Sequence, residues 1–309
     1  MGYKLAGYNH LGGVEIDPNI AEIYRRNHHP QYLFVEDLRK FNERTDLPDE
    51  LYQLDLLDGS PPCTTFSMAG KREDVWGKEK KFAEGQKKQT LDDLVFVYCD
   101  TIAKLQPKTF ILENVSGLAK GNAKSYLKRI VGKVSEAGYD TQVFLFNAAT
   151  MGVPQMRERC FIIGRRRDLG LPQIKMAFNE KPILFKDVLD KSDTTMNYTP
   201  WEQELWSKKT KQDKSLRDTA VRLKGYGQFG AARWIWSDKV CGTLATRETY
   251  LADYPRHMND LELKIVAGLP MDYDFGTRAN LVFLTAMNVP PVMMAQISWQ
   301  MYNQWLSKL

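Results

Sequence analysis

A chain of 309 residues with 43% hydrophobic content can bury a large core and accommodate one large domain plus a smaller one. Its net charge of +5 is too mild to identify a nucleic-acid binder by itself, no run approaches twenty apolar residues, and the first residues lack the apolar core and cleavage site of a signal peptide, so an intracellular protein with no membrane span is expected. Cys63, Cys99, Cys160 and Cys241 lie far apart without CxxC spacing or nearby histidines, which argues against a zinc site or a disulfide framework.

In chain order, HLGGVEI (10–16) reads as a strand, after which Asp17 caps and Pro18 opens a helix to about residue 28. YLFVED (32–37) and LYQLDLL (51–57) are the next expected strands. GSPPCTTFS (59–67) then sets two rigid rings before Cys63, which fixes the backbone and aims the thiol. Residues 71–88, KREDVWGKEKKFAEGQKK, form a basic segment suited either to solvent or to closing over phosphates. A helix from Thr90 to Leu105, the strand TFILENV (109–115), a helix over 122–137 stopped by Gly138, and two paired strands, YDTQVFLFNA and ERCFIIGR, complete an alternating α/β pattern. In such a sheet ligands gather at the carboxyl ends of strands, where Glu15, Asp37, Cys63 and Glu113 fall.

Beyond residue 166 the alternation stops. Trp201, Trp206, Tyr226, Trp234 and Trp236 are scattered among Lys and Arg, a second domain whose aromatics are expected mainly in its core. Apolar periodicity returns after about residue 255, and VPPVMMAQISWQMYNQWL reads as a helix entered through a proline pair. QMRER (155–159) places Arg157 and Arg159 at alternate positions, on one side if the segment is extended. A thiol, a carboxyl and a guanidinium together suit the activation of a pyrimidine ring toward attack at carbon 6.

In their order, these motifs resemble the cytosine-5 DNA methyltransferase family. GSPPCTTFS is similar to its Pro-Cys motif, ENVSGL to its Glu-Asn-Val motif and GVPQMRERCFIIG to its Gln-x-Arg-x-Arg motif. PRHMNDLELKIVAGLPMDY and AMNVPPVMM resemble its last two blocks, and VEID and VEDL its acidic cofactor motifs. The resemblance covers about 1–165 and 240–309. It implies a Rossmann-like S-adenosylmethionine-dependent methyltransferase sheet with a second, smaller target-recognition domain: catalytic 1–165, target recognition 166–250, and a segment 251–309 returning to the catalytic domain.

Through that resemblance, Cys63 adds to carbon 6 of a cytosine flipped from double-stranded DNA, Glu113 contacts ring N3 and the exocyclic amine, and Arg159 holds the ring carbonyl with Arg157 in support. Glu15 and Ile16 are implied for the ribose and adenine face of S-adenosylmethionine, Asp37 and Leu38 for the adenine edge, and Asn288 for the methionine carboxylate. No metal is implied. Arg217, Arg222, Gln228, Arg233 and Arg247 are candidate base readers. The setting implied is cytoplasmic, in a bacterium or encoded by a phage.

Some features depart from the family pattern. Thr64 stands where Gln is usual, and Met287 where Asn is common. The glycine-rich loop and first strand of the family are missing from the sequence, so the first strand is expected to lie in a longer form of the chain or to be supplied by a separate chain; a third expectation is that methylation has been lost. A catalytically silent DNA-binding relative and a tRNA cytosine-5 methyltransferase are the alternatives to DNA methylation.

Overall fold

The computed structural model describes residues 1–62, 94–120, 123–227 and 232–309. Cys63, Thr64, the basic segment 71–88 and Gln228 lie outside the described residues. Packing divides the chain into two units, one built from residues 9–146, 158–177 and 299–309, the other from 1–8, 147–157 and 178–298.

A short helix α1 (Gly2–Leu5) opens the chain in the second of these units. In the first, β1 (Gly12–Val14) leads into α2 (Pro18–His28), where the Asp17 carboxylate accepts from Asn19 N at 2.8 Å and Ile20 N at 3.3 Å and Pro18 occupies the first turn, as the sequence predicts. β2 (Tyr32–Phe34) pairs in parallel with β1, Gly12 opposite Tyr32 and Val14 opposite Phe34. Asp37 then caps α3 (Leu38–Glu43).

Of the strand expected over 51–57 only Leu56 and Leu57 are extended in a sheet. Asp49–Tyr52 is a 3-10 turn behind Pro48, and β3 (Leu56–Gly59) begins later. The turn buries Leu51 among Phe41, Leu47 and Leu105, a packing gain that an extended backbone would forgo. The expected strands over 10–16 and 32–37 are likewise shorter, three residues each.

α4 (Leu94–Leu105), β4 (Thr109–Val115), α5 (Lys124–Glu136), β5 (Tyr139–Asn147) and β6 (Glu158–Arg166) follow. The strand order is β3-β4-β6-β5, with β3 parallel and β6 antiparallel to β4. β4 is buried from Thr109 to Asn114, as a near-continuous apolar run in a central strand requires. Gly138, at φ 98°, turns the chain from α5 into β5. Tyr98 of α4 donates its hydroxyl to Ile111 O at 2.9 Å and Leu57 O at 3.2 Å, joining the backbones of β4 and β3. Its ring lies so close to β3 that a Cβ on Gly59 would stand 2.3 Å from it.

The pair β1–β2 forms a sheet of its own, without hydrogen bonds to β3 among the described residues. Both pieces nevertheless pack on one apolar cluster in which Val14, Phe34, Leu38, Phe41, Leu57 and Leu105 meet. Among the described residues the outer strands are β1 and β2 in the smaller sheet and β3 and β5 in the larger one.

The second unit contains α6 (Pro200–Lys208), α7 (Leu216–Lys224), the parallel pair β7 (Trp234–Ile235) and β8 (Tyr250–Leu251), α8 (Asp260–Val266), α9 (Arg278–Met287) and the first part of α10 (Pro291–Gln304). Its aromatics are core, as expected: Trp201, Trp206 and Trp236 pack around buried Trp234 and Tyr198, and Lys209 and Lys211 lie over the indole faces. Tyr226 alone of the five named aromatics is strongly exposed. Arg278–Lys308 is long and apolar enough to cross a membrane, which the sequence reading did not anticipate. However, half of that window is buried and Pro290 and Pro291 interrupt it, the mark of core helices.

One ion pair in this unit is wholly buried. Arg256 grips Glu262 with two 2.8 Å bonds, and Glu262 also closes the capping box of α8 with Asn259. Removing one buried charge leaves the other uncompensated. Glu262→Gln is therefore expected to lower unfolding free energy by about 3–5 kcal/mol, read as a reduced denaturant midpoint.

Candidate active site

The antiparallel ladder between β4 and β6 sets Val115 opposite Arg159 and Glu113 opposite Phe161. Residues 113 and 159 are thus diagonal neighbours on one face of the sheet. The Arg159 Nε meets Glu113 Oε1 at 2.9 Å, with side chains only 15% and 9% exposed. Burial pulls the Arg159 guanidinium below its ordinary pKa while the Glu113 charge opposes that shift, and the arginine stays a cation at any ordinary pH.

Asn114 was given no role by the sequence reading. Its Oδ1 accepts from the backbone of Val115 at 2.9 Å, and its Nδ2 donates to Pro61 O at 3.2 Å. Pro61 lies on the segment leaving β3, two residues before Cys63, so one end of the thiol-bearing segment is tied to the strand that carries Glu113. Next to Arg159 in β6, Glu158 is bonded by Lys120, and Lys120 and Ser116 hold its carboxyl below the usual range.

Arg157 does not share the direction of Arg159. β6 starts at Glu158, so strand alternation does not reach residue 157, and its guanidinium is fully buried against Ala286 O at 2.9 Å and Gln155 Oε1 at 3.4 Å. Gln155 in turn donates to Val266 O at 2.9 Å. The expectation that both arginines face one side is corrected: Arg157 binds the end of α9.

At the carboxyl ends of β1 and β2 the chain places the remaining candidates. Glu15 takes a backbone bond from its own N–H to Phe34 O at 3.0 Å, and its Oε1 accepts Asp17 N at 2.8 Å, which fixes the carboxylate at the strand end. Ile16 beside it is 37% exposed. The Asp37 carboxylate is engaged by Arg39, through its backbone N–H at 2.8 Å and its guanidinium at 3.2 Å, while Leu38 is turned into the core. In the other unit, Asn288 ends α9; its Nδ2 donates to Ala267 O at 3.1 Å, and its Oδ1 is buried without a partner among the described residues. Among the described residues no cluster of His, Cys, Asp and Glu could hold a metal ion.

These features coincide with a family assignment. The model for C-5 cytosine-specific DNA methylases matches residues 1–302, and the chain belongs to that family. It is 30% identical over 320 residues to the type II methyltransferase M.Sau96I of Staphylococcus aureus, which covers 96% of this chain and 71% of that one. It is 32% identical over 208 residues to M.NgoPII of Neisseria gonorrhoeae, covering 65% of this chain and 55% of the relative. The chain thus spans about half the length of several relatives it matches. A solved structure, from a protein encoded within an E. coli prophage and assigned as a DNA modification methyltransferase, superposes with a TM-score of 0.67 at 20% identity over 98% of this chain and 94% of that one, which establishes the fold. Enzymes of this family take their methyl group from S-adenosylmethionine.

The three described cysteines are not nucleophiles. Cys99, Cys160 and Cys241 are buried, and desolvation pushes each thiol up to about 12, with the Glu113 charge adding to the rise at Cys160. They stay protonated at pH 8. Native-state titration with a disulfide reagent at that pH is expected to leave these three unreacted, and all four cysteines should react after unfolding.

Proposed function

We propose that the chain methylates carbon 5 of cytosine in double-stranded DNA. The Glu113–Arg159 pair, held beside the strand whose Asn114 ties down the approach to Cys63, is the observation that carries this reading. Residues 1–165 form the catalytic part, 166–250 the target-recognition part, and 251–309 return to the catalytic part.

In this reading the cytosine leaves the stack, since neither face of a stacked base admits a nucleophile and a methyl donor together. The Cys63 thiolate forms a bond to ring carbon 6. Glu113, oriented through its Oε1 by Arg159, binds ring N3 and the exocyclic amine, and Arg159 binds the ring carbonyl, so the electron pair displaced by sulfur gathers at carbon 5. S-adenosylmethionine, when bound, supplies an electrophilic methyl group to that carbon. A base then removes the carbon-5 proton, the pair returns to the ring, and the thiolate leaves. Arg157 supports from the end of α9 and is a positioning residue.

The fixed carboxylate of Glu15 and the exposed Ile16 fit a ribose diol and an adenine face. Asp37 fits the adenine edge once its ion pair with Arg39 yields, and Leu38 offers its backbone. The buried acceptor of Asn288 fits the methionine portion.

A duplex carrying 5-fluorocytosine has fluorine in place of the carbon-5 proton, which a base cannot remove, and should trap a covalent adduct that depends on S-adenosylmethionine. Cys63→Ser should abolish the adduct, and Glu113→Gln should slow methyl transfer roughly 100-fold to 10,000-fold. A parallel arm with tRNA separates the nucleic acids: transfer to tRNA with none to the duplex would overturn the DNA assignment.

A further inference from the structure

The candidate base readers differ in what their guanidinium groups already hold. Arg222 is committed: its Nε meets Asp213 Oδ1 at 3.1 Å, its Nη2 meets Oδ2 at 2.6 Å, and Nη2 also donates to Lys208 O at 2.7 Å. Arg217 lies on α7, and Gln228 is outside the described residues. Arg233 and Arg247 are both exposed, form no ion pair among the described residues, and line the same cleft of about 220 Å³. The guanidinium of Arg233 reaches over the cleft floor, its Nη1 3.9 Å from where a Cβ on Gly242 would stand.

The rest of the lining shows what would enter. Ile235, Leu244, Ala232 and Ala245 give carbon walls, and Thr246 and Thr249 add hydroxyls. Thr243 is tied to Met156 O at 2.6 Å, which braces the loop from Gly242 to Thr249 from below. The one acid in the cleft is neutralised from outside, because Arg278 holds both oxygens of Glu248, at 3.0 and 2.7 Å. The cleft therefore presents two uncommitted forks of donors between apolar walls. Arginine forks take a phosphate as well as a base edge; the carbon walls favour the less strongly hydrated, flat edge of a base. A flat ring with two adjacent acceptors on its edge satisfies both features.

We propose that Arg233 and Arg247 read the O6 and N7 edge of a guanine in the duplex, and that this cleft sets the sequence specificity of the protein. The proposal rests on the DNA reading given above.

The test is selection of bound duplexes from a random-sequence pool by the full chain, followed by sequencing, for the wild type and for Arg233→Ala, Arg247→Ala and the double variant. The wild type should enrich a guanine at a fixed position. At least one single variant, and the double variant, should relax that preference roughly 10-fold to 100-fold while leaving other positions unchanged. Unaltered melting temperatures would show that the variants fold. A uniform loss of affinity across all sequences, with a shallower salt dependence, would make these arginines phosphate contacts and overturn the proposal, as would an unchanged preference or a wild type that selects no guanine. Methylation of the recovered duplexes is scored separately by the wild type: its absence counts against methyl transfer, whereas the enrichment profiles decide the role of the arginines.

Discussion

The site depends on one register. β4 and β6 run antiparallel with Leu112 facing Ile162, and this alignment puts a carboxylate and a guanidinium on the same face at diagonal positions. A shift by one residue would send Arg159 to the opposite face and leave Glu113 as a lone buried charge. The register is held by the apolar residues around it. Phe110, Ile111, Leu112, Phe161, Ile162 and Ile163 are all fully buried, so slippage would exchange the side chains packed on the two faces and disrupt both. The hydrophobic core thereby specifies a polar geometry it does not touch.

That arrangement carries an energetic burden which the neighbouring contacts offset. Glu113 and Arg159 give up most of their hydration, and a pair of this kind holds only if its geometry is tight and its remaining atoms are satisfied. The same design recurs in the other unit, where Arg256 and Glu262 meet with two bonds and Glu262 also serves a helix terminus. In both places a charge lost from water is placed where it orders backbone: the end of a strand in one case, the first turn of α8 in the other.

Local patterns made much of the fold legible. Asp17–Pro18 announced a helix start because capping and proline geometry act within a few residues. TFILENV announced a buried strand because a continuous apolar run has no solvent face, and Gly138 marked a turn only glycine enters freely. The acidic and basic residues of the site were visible as types. Their partners were not: Asn114 and Pro61 are 53 positions apart, and Arg157 and Ala286 are 129 apart. The fate of Arg157 turned on where β6 begins, a boundary that periodicity locates poorly. The first two residues of LYQLDLL became the end of a 3-10 turn because burying Leu51 outweighed strand propensity, a tertiary effect with no local trace. The arginine cleft was equally hidden, since what separates Arg233 and Arg247 from Arg222 is the presence of Asp213 beside the latter.

The contact between Gly59 and Tyr98 bears on how such a sequence can drift. The tyrosine hydroxyl bridges the backbones of two adjacent strands, and its ring fills the space a side chain at position 59 would need. A side chain at position 59 collides with the ring, while a smaller residue at 98 gives up the bridge and opens that space, so the two positions are coupled and the order of exchange matters: Tyr98 has to change before Gly59 can.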